Sequence, residues 1–146
     1  MSDHDSAVAR ISAAYEKKGF QVQSHGNNLP YGSKQNEAIY RLDLLVKDPT
    51  SHQIVHMAEV ETSNAGKPVV GAAVLADICM GIEIEKGEQQ EKPTLVFVFY
   101  RQSSNLELGK KRLEQLTRQK RIRHLAEVLV RTEKEVLEEI QQGFTV

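Results

Sequence analysis

The chain has one cysteine, Cys79, which excludes an internal disulfide framework and a cysteine-rich zinc site. That cysteine stands in an apolar run, where a buried, inert thiol is expected. Charge of one sign is also missing: 19 Lys and Arg face 20 Asp and Glu, a net charge of −1. No global field advertises a polyanionic partner, so any nucleic-acid surface has to be a local patch. Long hydrophobic runs are absent as well. The longest apolar stretch, Pro68 to Ile82, is interrupted by Asp77 and is too short to span a bilayer. The opening M-S-D-H-D-S is polar and acidic, unlike a signal peptide. No membrane partner and a cytoplasmic location are therefore expected. Internal repeats and low-complexity tracts are lacking, and Gly26, Gly32 and Gly66 make no phosphate-cradling signature. The histidines at 25, 52, 56 and 124 have no metal-ligand spacing, which argues against zinc. Thr62-Ser63 and Ser103-Ser104 have no neighbours patterned for nucleophilic catalysis and read as turn and cap residues.

What is present is an ordinary globular composition. In 146 residues, 40% are hydrophobic and 27% charged, enough for one domain, 1–146, with a real core. Val8, Ile11 and Tyr15 recur at helical spacing, predicting a helix over 5–18 capped by Asp5 or Ser6 and stopped at Gly19. Phe20 to Gln23 alternates as a short strand, and Ser24 to Asn36 reads as a loop. Two strand-like runs follow, Tyr40 to Lys47 and Gln53 to Thr62, joined by an Asp48-Pro49 turn as in a hairpin. A helix beginning near Pro68 is apolar almost all round, which predicts burial. Thr94 to Tyr100 is apolar on both faces, the pattern of a covered central strand. From Asn105 the period is helical through Leu106, Gly109, Leu113 and Leu116, then Ile122, Leu125, Leu129, Val136 and Ile140. One rod of that length would exceed about 50 Å, so a break is expected near Gln119 to Ile122. The order predicts an α/β fold: a mixed central sheet flanked by helices, with a C-terminal helical extension over about 105–142.

The acids on the hairpin are the feature that calls for explanation. Side chains on a strand alternate faces, so Glu59 and Glu61 share one face, and Ala58 and Val60 the other. On the first run Leu42, Leu44 and Val46 form an apolar row, with Asp43 and Arg41 opposite. A register that brings Asp43 level with Glu59 and Glu61 makes three carboxylates converge. Such a cluster is costly unless a cation neutralises it, and hard oxygen ligands suit Mg2+ or Mn2+. The blander alternative is a half-buried hairpin whose acids face water.

Charge is also segregated further on. Residues 107–124 hold Lys110, Lys111, Arg112, Arg118, Lys120, Arg121 and Arg123 against two Glu. That cluster either contacts backbone phosphates or is a solvated helical face.

Both the element order and the placement of the acids resemble the PD-(D/E)XK nuclease superfamily, the fold of many restriction enzymes and Holliday-junction resolvases. The resemblance covers about residues 5–101. Asp43 stands at the motif's Asp, E-V-E at 59–61 stands at its (D/E)-x-K, Leu42 replaces its Pro and Glu61 its Lys. It implies a restriction-endonuclease-like αβββαβ core and divalent-metal-dependent endonuclease chemistry on DNA. Asp43 and Glu59 would hold Mg2+ or Mn2+ with the backbone carbonyl of Val60. Glu61 would add a ligand or act as general base, and Lys67 at the start of the next helix is the candidate for a migrated motif lysine. Loss of that lysine also suits a nuclease fold that has become a non-catalytic binding or regulatory module. Enzymes of this kind often work as dimers. The stripe Leu125, Leu129, Val136, Ile140 exceeds what so small a sheet needs, so a homodimer is expected.

Overall fold

The computed structural model describes residues 2–28, 41–61, 67–100 and 106–143. The chain runs α1 (Asp3–Lys17), β1 (Gln21–Asn28), β2 (Arg41–Lys47), β3 (Ile54–Glu61), α2 (Lys67–Glu85), β4 (Thr94–Phe99), α3 (Leu106–Arg118), β5 (Glu127–Thr132) and α4 (Glu133–Gln141). The five strands form one mixed sheet in sequence order. β1, β2 and β3 are an antiparallel meander, whereas β4 and β5 join parallel to β3 and to each other. Each parallel step needs a crossover, supplied by α2 and α3.

Two apolar layers sandwich the sheet. On one face α2 and α3 pack Val69, Ala73, Ala76, Met80 and Leu113 against Leu45, Met57, Leu95, Phe97 and Phe99. On the other, Val8, Ile11 and Tyr15 of α1 and Val136 and Ile140 of α4 cover Leu44, Val46, Ala58, Val60, Val96 and Val98. β4 carries apolar residues for both layers, as its two-sided pattern predicts.

Local chemistry fixes several element ends. α1 starts earlier than expected: Ser2 is its cap, with Oγ accepting from the Asp5 N–H at 3.1 Å. Asp3 and Asp5 then complement the positive helix end. The β2–β3 turn is held by Asp48, whose Oδ1 accepts from the amides of Thr50 and Ser51 at 2.8 and 3.0 Å. β1 runs on to Asn28, into the stretch expected to be a loop, with its pairing to β2 irregular between Ser24 and Asn27. The rest of that expected loop, 29–36, lies outside the described residues.

Three other expectations are corrected. Residues 127–132 are a strand, not part of a helical extension. The apolar spacing there also fits a helix, and pairing with the buried edge of β4 decides the outcome. The break expected near Gln119 to Ile122 is real. α3 ends at Arg118, and Oδ1 of buried Asp77 accepts from the Arg123 and His124 amides at 2.9 and 2.6 Å, pinning the next segment to α2. Gly81 makes room there, since a Cβ would meet the His124 ring at 2.9 Å. Second, α2 is not buried all round: Val74, Leu75 and Ile78 on its outer side are 36%, 37% and 47% exposed. Third, Leu42 does not share a row with Leu44 and Val46. It packs in the α2/α3 layer and they pack in the α1/α4 layer, so the alternation slips at Asp43.

The stripe that suggested a dimer is likewise covered by the chain itself. Leu125, Val136 and Ile140 are buried, and Leu129 packs against the α1/α4 layer. Among the described residues no helix is long and apolar enough to cross a membrane.

Candidate acidic site at the end of the sheet

β2 begins where β3 ends, because the two are antiparallel. Their regular pairing is recorded as far as Leu44–Ala58. Beyond it, side chains take over from the main-chain ladder. The Asp43 carboxylate accepts from the Val60 N–H at 2.8 Å, and the Glu59 carboxylate accepts from the Asp43 N–H at 3.0 Å. Carboxylate–amide hydrogen bonds are charge-assisted and stronger than neutral ones, so this reciprocal clasp holds the two strand ends together.

Asp43 has a second partner that the sequence reading missed. Nε2 of His4, in the first turn of α1, stands 3.2 Å from its Oδ2, and His4 Nδ1 is 3.4 Å from Asp5. Partial burial opposes charging of His4, but the charge and hydrogen bond of Asp43, joined by those of Asp5, outweigh it and raise the imidazole pKa. A signal for this residue existed. His4, Val8, Ile11 and Tyr15 are spaced 4, 3 and 4 apart, so extending the apolar stripe back by one turn reaches His4. Tyr100, just past β4, stands edge-on to the His4 ring with centroids 6.4 Å apart.

Glu61 pairs in register with buried Phe99 at the end of β4. Burial raises its carboxyl pKa above the ordinary value, the charge of Asp43 raises it further, and His4 opposes both. Asp43, Glu61 and His4 thus share one electrostatic neighbourhood at the carboxyl ends of β3 and β4. In open α/β sheets such strand ends are where ligands bind.

The donor set is oxygen-rich and anionic, which fits a hard divalent cation in chemistry. The arrangement is less complete. Among the described residues no group of three His, Cys, Asp or Glu stands where it could hold a metal ion. Asp43 and Glu59 each spend a carboxylate oxygen on a main-chain amide instead. Lys67 opens α2, and its side chain, like that of Arg41, lies outside the described residues.

The basic cluster does not form one face. Lys110, Lys111 and Arg112 are consecutive on α3 and so point in different directions. Lys110 and Arg118 line a groove against β5, with Lys110 3.5 Å from Glu107. Arg112 borders a separate hollow with Val70, Gln115, Leu116 and Gln119. Lys120, Arg121 and Arg123 lie in the turn after α3, where Arg123 Nε donates to the Lys120 carbonyl at 3.2 Å.

Two other groups are structural. The Tyr15 hydroxyl is hydrogen-bonded to His56 Nδ1 at 3.1 Å under α1, on the sheet face away from Glu59. Burial drives the His56 pKa down to about 4 and leaves the ring neutral. Cys79 is buried, and burial together with the Glu83 charge raises its thiol to about 11, as befits an inert group.

Comparison with known proteins adds no relative: no family model matches the chain, and no significant match exists among curated proteins or solved structures.

Proposed function

We propose that this chain is a divalent-metal-dependent nuclease of the PD-(D/E)XK kind, hydrolysing phosphodiester bonds in DNA. One observation carries the reading. The carboxylate of Asp43 lies 2.8 Å from the Val60 N–H, so the lone acid of β2 meets the middle of the E-V-E triplet of β3. The meander, crossover helix and parallel strand around it are the element order of that superfamily.

In this reading Asp43 and Glu59, with the Val60 carbonyl, hold Mg2+ or Mn2+. The bound ion would supply Lewis-acid stabilisation of the phosphate and a lowered water pKa. Glu61 completes the ligand set or takes the proton of the attacking water, a role its raised pKa favours, since an effective base titrates nearer neutrality. His4 holds Asp43 in place from α1 and partly offsets the acid charge. Lys67 is the nearest candidate in sequence for the missing motif lysine. Lys110, Lys111, Arg112, Arg118, Lys120, Arg121 and Arg123 are the candidates for phosphate contacts outside the acidic end. They do not share one face, so only a subset of them can meet one duplex.

A second reading has its own observation. Asp43 and Glu59 are already satisfied by main-chain amides, and no three-ligand group stands assembled among the described residues. That suits a nuclease fold kept as a non-catalytic binding module. Incubation with supercoiled, branched and single-stranded DNA in Mg2+ or Mn2+ separates the two. Cleavage that Asp43→Ala abolishes while the circular dichroism spectrum is retained supports the enzyme. Metal-independent DNA binding without cleavage supports the module.

A further inference from the structure

Among the described residues β5 is an edge strand, paired on one side to β4 and to nothing on the other. Half of its N–H and C=O groups therefore lack a ladder, and edges of this kind recruit further strands unless they are blocked. No described strand pairs with the outer side of β5. It has no proline and no bulge, and its pairing with β4 is regular over six residues, from Thr94–Glu127 to Phe99–Thr132. A groove of about 750 Å³ runs along it, bounded by Leu113, Thr117 and Ile122 on the α3 side and by residues 126–131 of the strand region itself.

The sequence of that edge matches its own reverse. The strand reads E-V-L-V-R-T from Glu127. Two copies paired antiparallel about a two-fold axis at Leu129 set Glu127 opposite Arg131 twice, Val128 opposite Val130 twice and Leu129 opposite itself. Opposite charges and β-branched pairs are the favourable cross-strand combinations. The faces agree too. Val128 and Val130 belong to the α2/α3 layer, and Leu129 packs in the α1/α4 layer, so both apolar layers would continue across the junction. Arg131 is already held on its face, with Nε donating to Glu139 at 2.6 Å and Nη1 to the Val130 carbonyl at 3.0 Å. Its guanidinium is thereby oriented beforehand, with donors to spare. Glu127 is exposed.

We infer that β5 pairs with β5 of a second copy of this chain, making a two-fold dimer with one continuous ten-stranded sheet. An isologous contact of this type closes on itself and leaves no further edge at the junction. The exposed apolar side of α2 is the rival surface, but no charge or register on that helix selects a second copy. Pairing through β5 puts the two β3 strands five strand spacings apart, about 24 Å across the sheet. The two acidic ends point in opposite directions, because the paired strands run antiparallel. The inference does not depend on the nuclease reading.

Charge reversal tests it. The full chain should sediment as a dimer at micromolar concentration. Glu127→Arg and Arg131→Glu, each setting like charges opposite one another twice, should weaken dimerisation about tenfold or more. Glu127→Arg/Arg131→Glu together should restore it. Ile78→Asp, on the exposed side of α2, should leave the mass unchanged. Arg131→Glu also loses the bond to Glu139, so hydrogen exchange gives a second measurement in the unaltered protein. Amides of 127–131 should gain protection as concentration rises through the dimer range. Two results overturn the inference. One is a monomer at every concentration, which leaves the edge to an extended peptide of another protein. The other is a dimer dissociated by Ile78→Asp and indifferent to Glu127→Arg, which moves the interface to α2.

Discussion

His56 should make the protein sensitive to mild acid, and the size of the effect follows from its surroundings. The ring sits on β3 beneath α1, shares a hydrogen bond with Tyr15, and meets that tyrosine edge-on with centroids 5.7 Å apart. Folding lowers its pKa by burial from 6.5 to about 4. Above the unfolded value the imidazole is neutral in both states and stability does not depend on it. As pH falls below that value, the unfolded chain takes up a proton that the folded chain refuses. Stability is lost until the pH reaches the folded pKa near 4, where the loss levels off. A separation of this size is worth about 3 kcal/mol, a large part of the stability of an average domain. The assay is urea unfolding from neutral pH down to about pH 4, on the parent and on His56→Gln. Glutamine can still hydrogen-bond the Tyr15 hydroxyl, as acceptor or donor, and does not titrate. The parent should lose about 3 kcal/mol more than His56→Gln over that window. Parallel stability curves for the two proteins would refute the reasoning, because they would show that His56 reaches water and charges without cost.

Removing the charge of Glu61 should do the opposite of removing a structural contact. Burial and Asp43 both disfavour its carboxylate, so Glu61→Gln should match the parent or gain up to about 1 kcal/mol in metal-free thermal unfolding. The capping box of α4, in which Thr132 Oγ1 accepts from the Glu135 N–H and Glu135 accepts from the Thr132 N–H, predicts that Thr132→Ala costs about 1 kcal/mol in denaturant unfolding at neutral pH.

How much of this could be read from the chain varies by element. The hairpin, α2 and β4 were legible because strand alternation, a turn at Asp48-Pro49 and a two-sided apolar run are local signals. β5 was not. Leu125, Leu129, Val136 and Ile140 satisfy a helical period, and only the neighbouring edge of β4 makes Glu127–Thr132 extended. The outer side of α2 was misjudged for a related reason. Apolar composition says how much surface a helix would bury, but not whether a second layer exists to cover Val74, Leu75 and Ile78. At the acidic end, parity identified Asp43, Glu59 and Glu61 as candidates. It did not foresee the slip at Asp43 that turns its carboxylate to the Val60 amide. His4 was missed because a polar residue at the head of an apolar stripe reads as solvent-facing until the strand end opposite it is known.

The account stands most directly on whether the acids of β2 and β3 bind a divalent ion. Calorimetric titration of Mn2+ into the parent, Asp43→Asn and Glu61→Gln measures this without any nucleic acid. The account predicts a saturable site in the parent, weaker binding in Glu61→Gln and none in Asp43→Asn, with circular dichroism unchanged in all three. Absence of binding in the parent, or equal binding in Asp43→Asn, would contradict it.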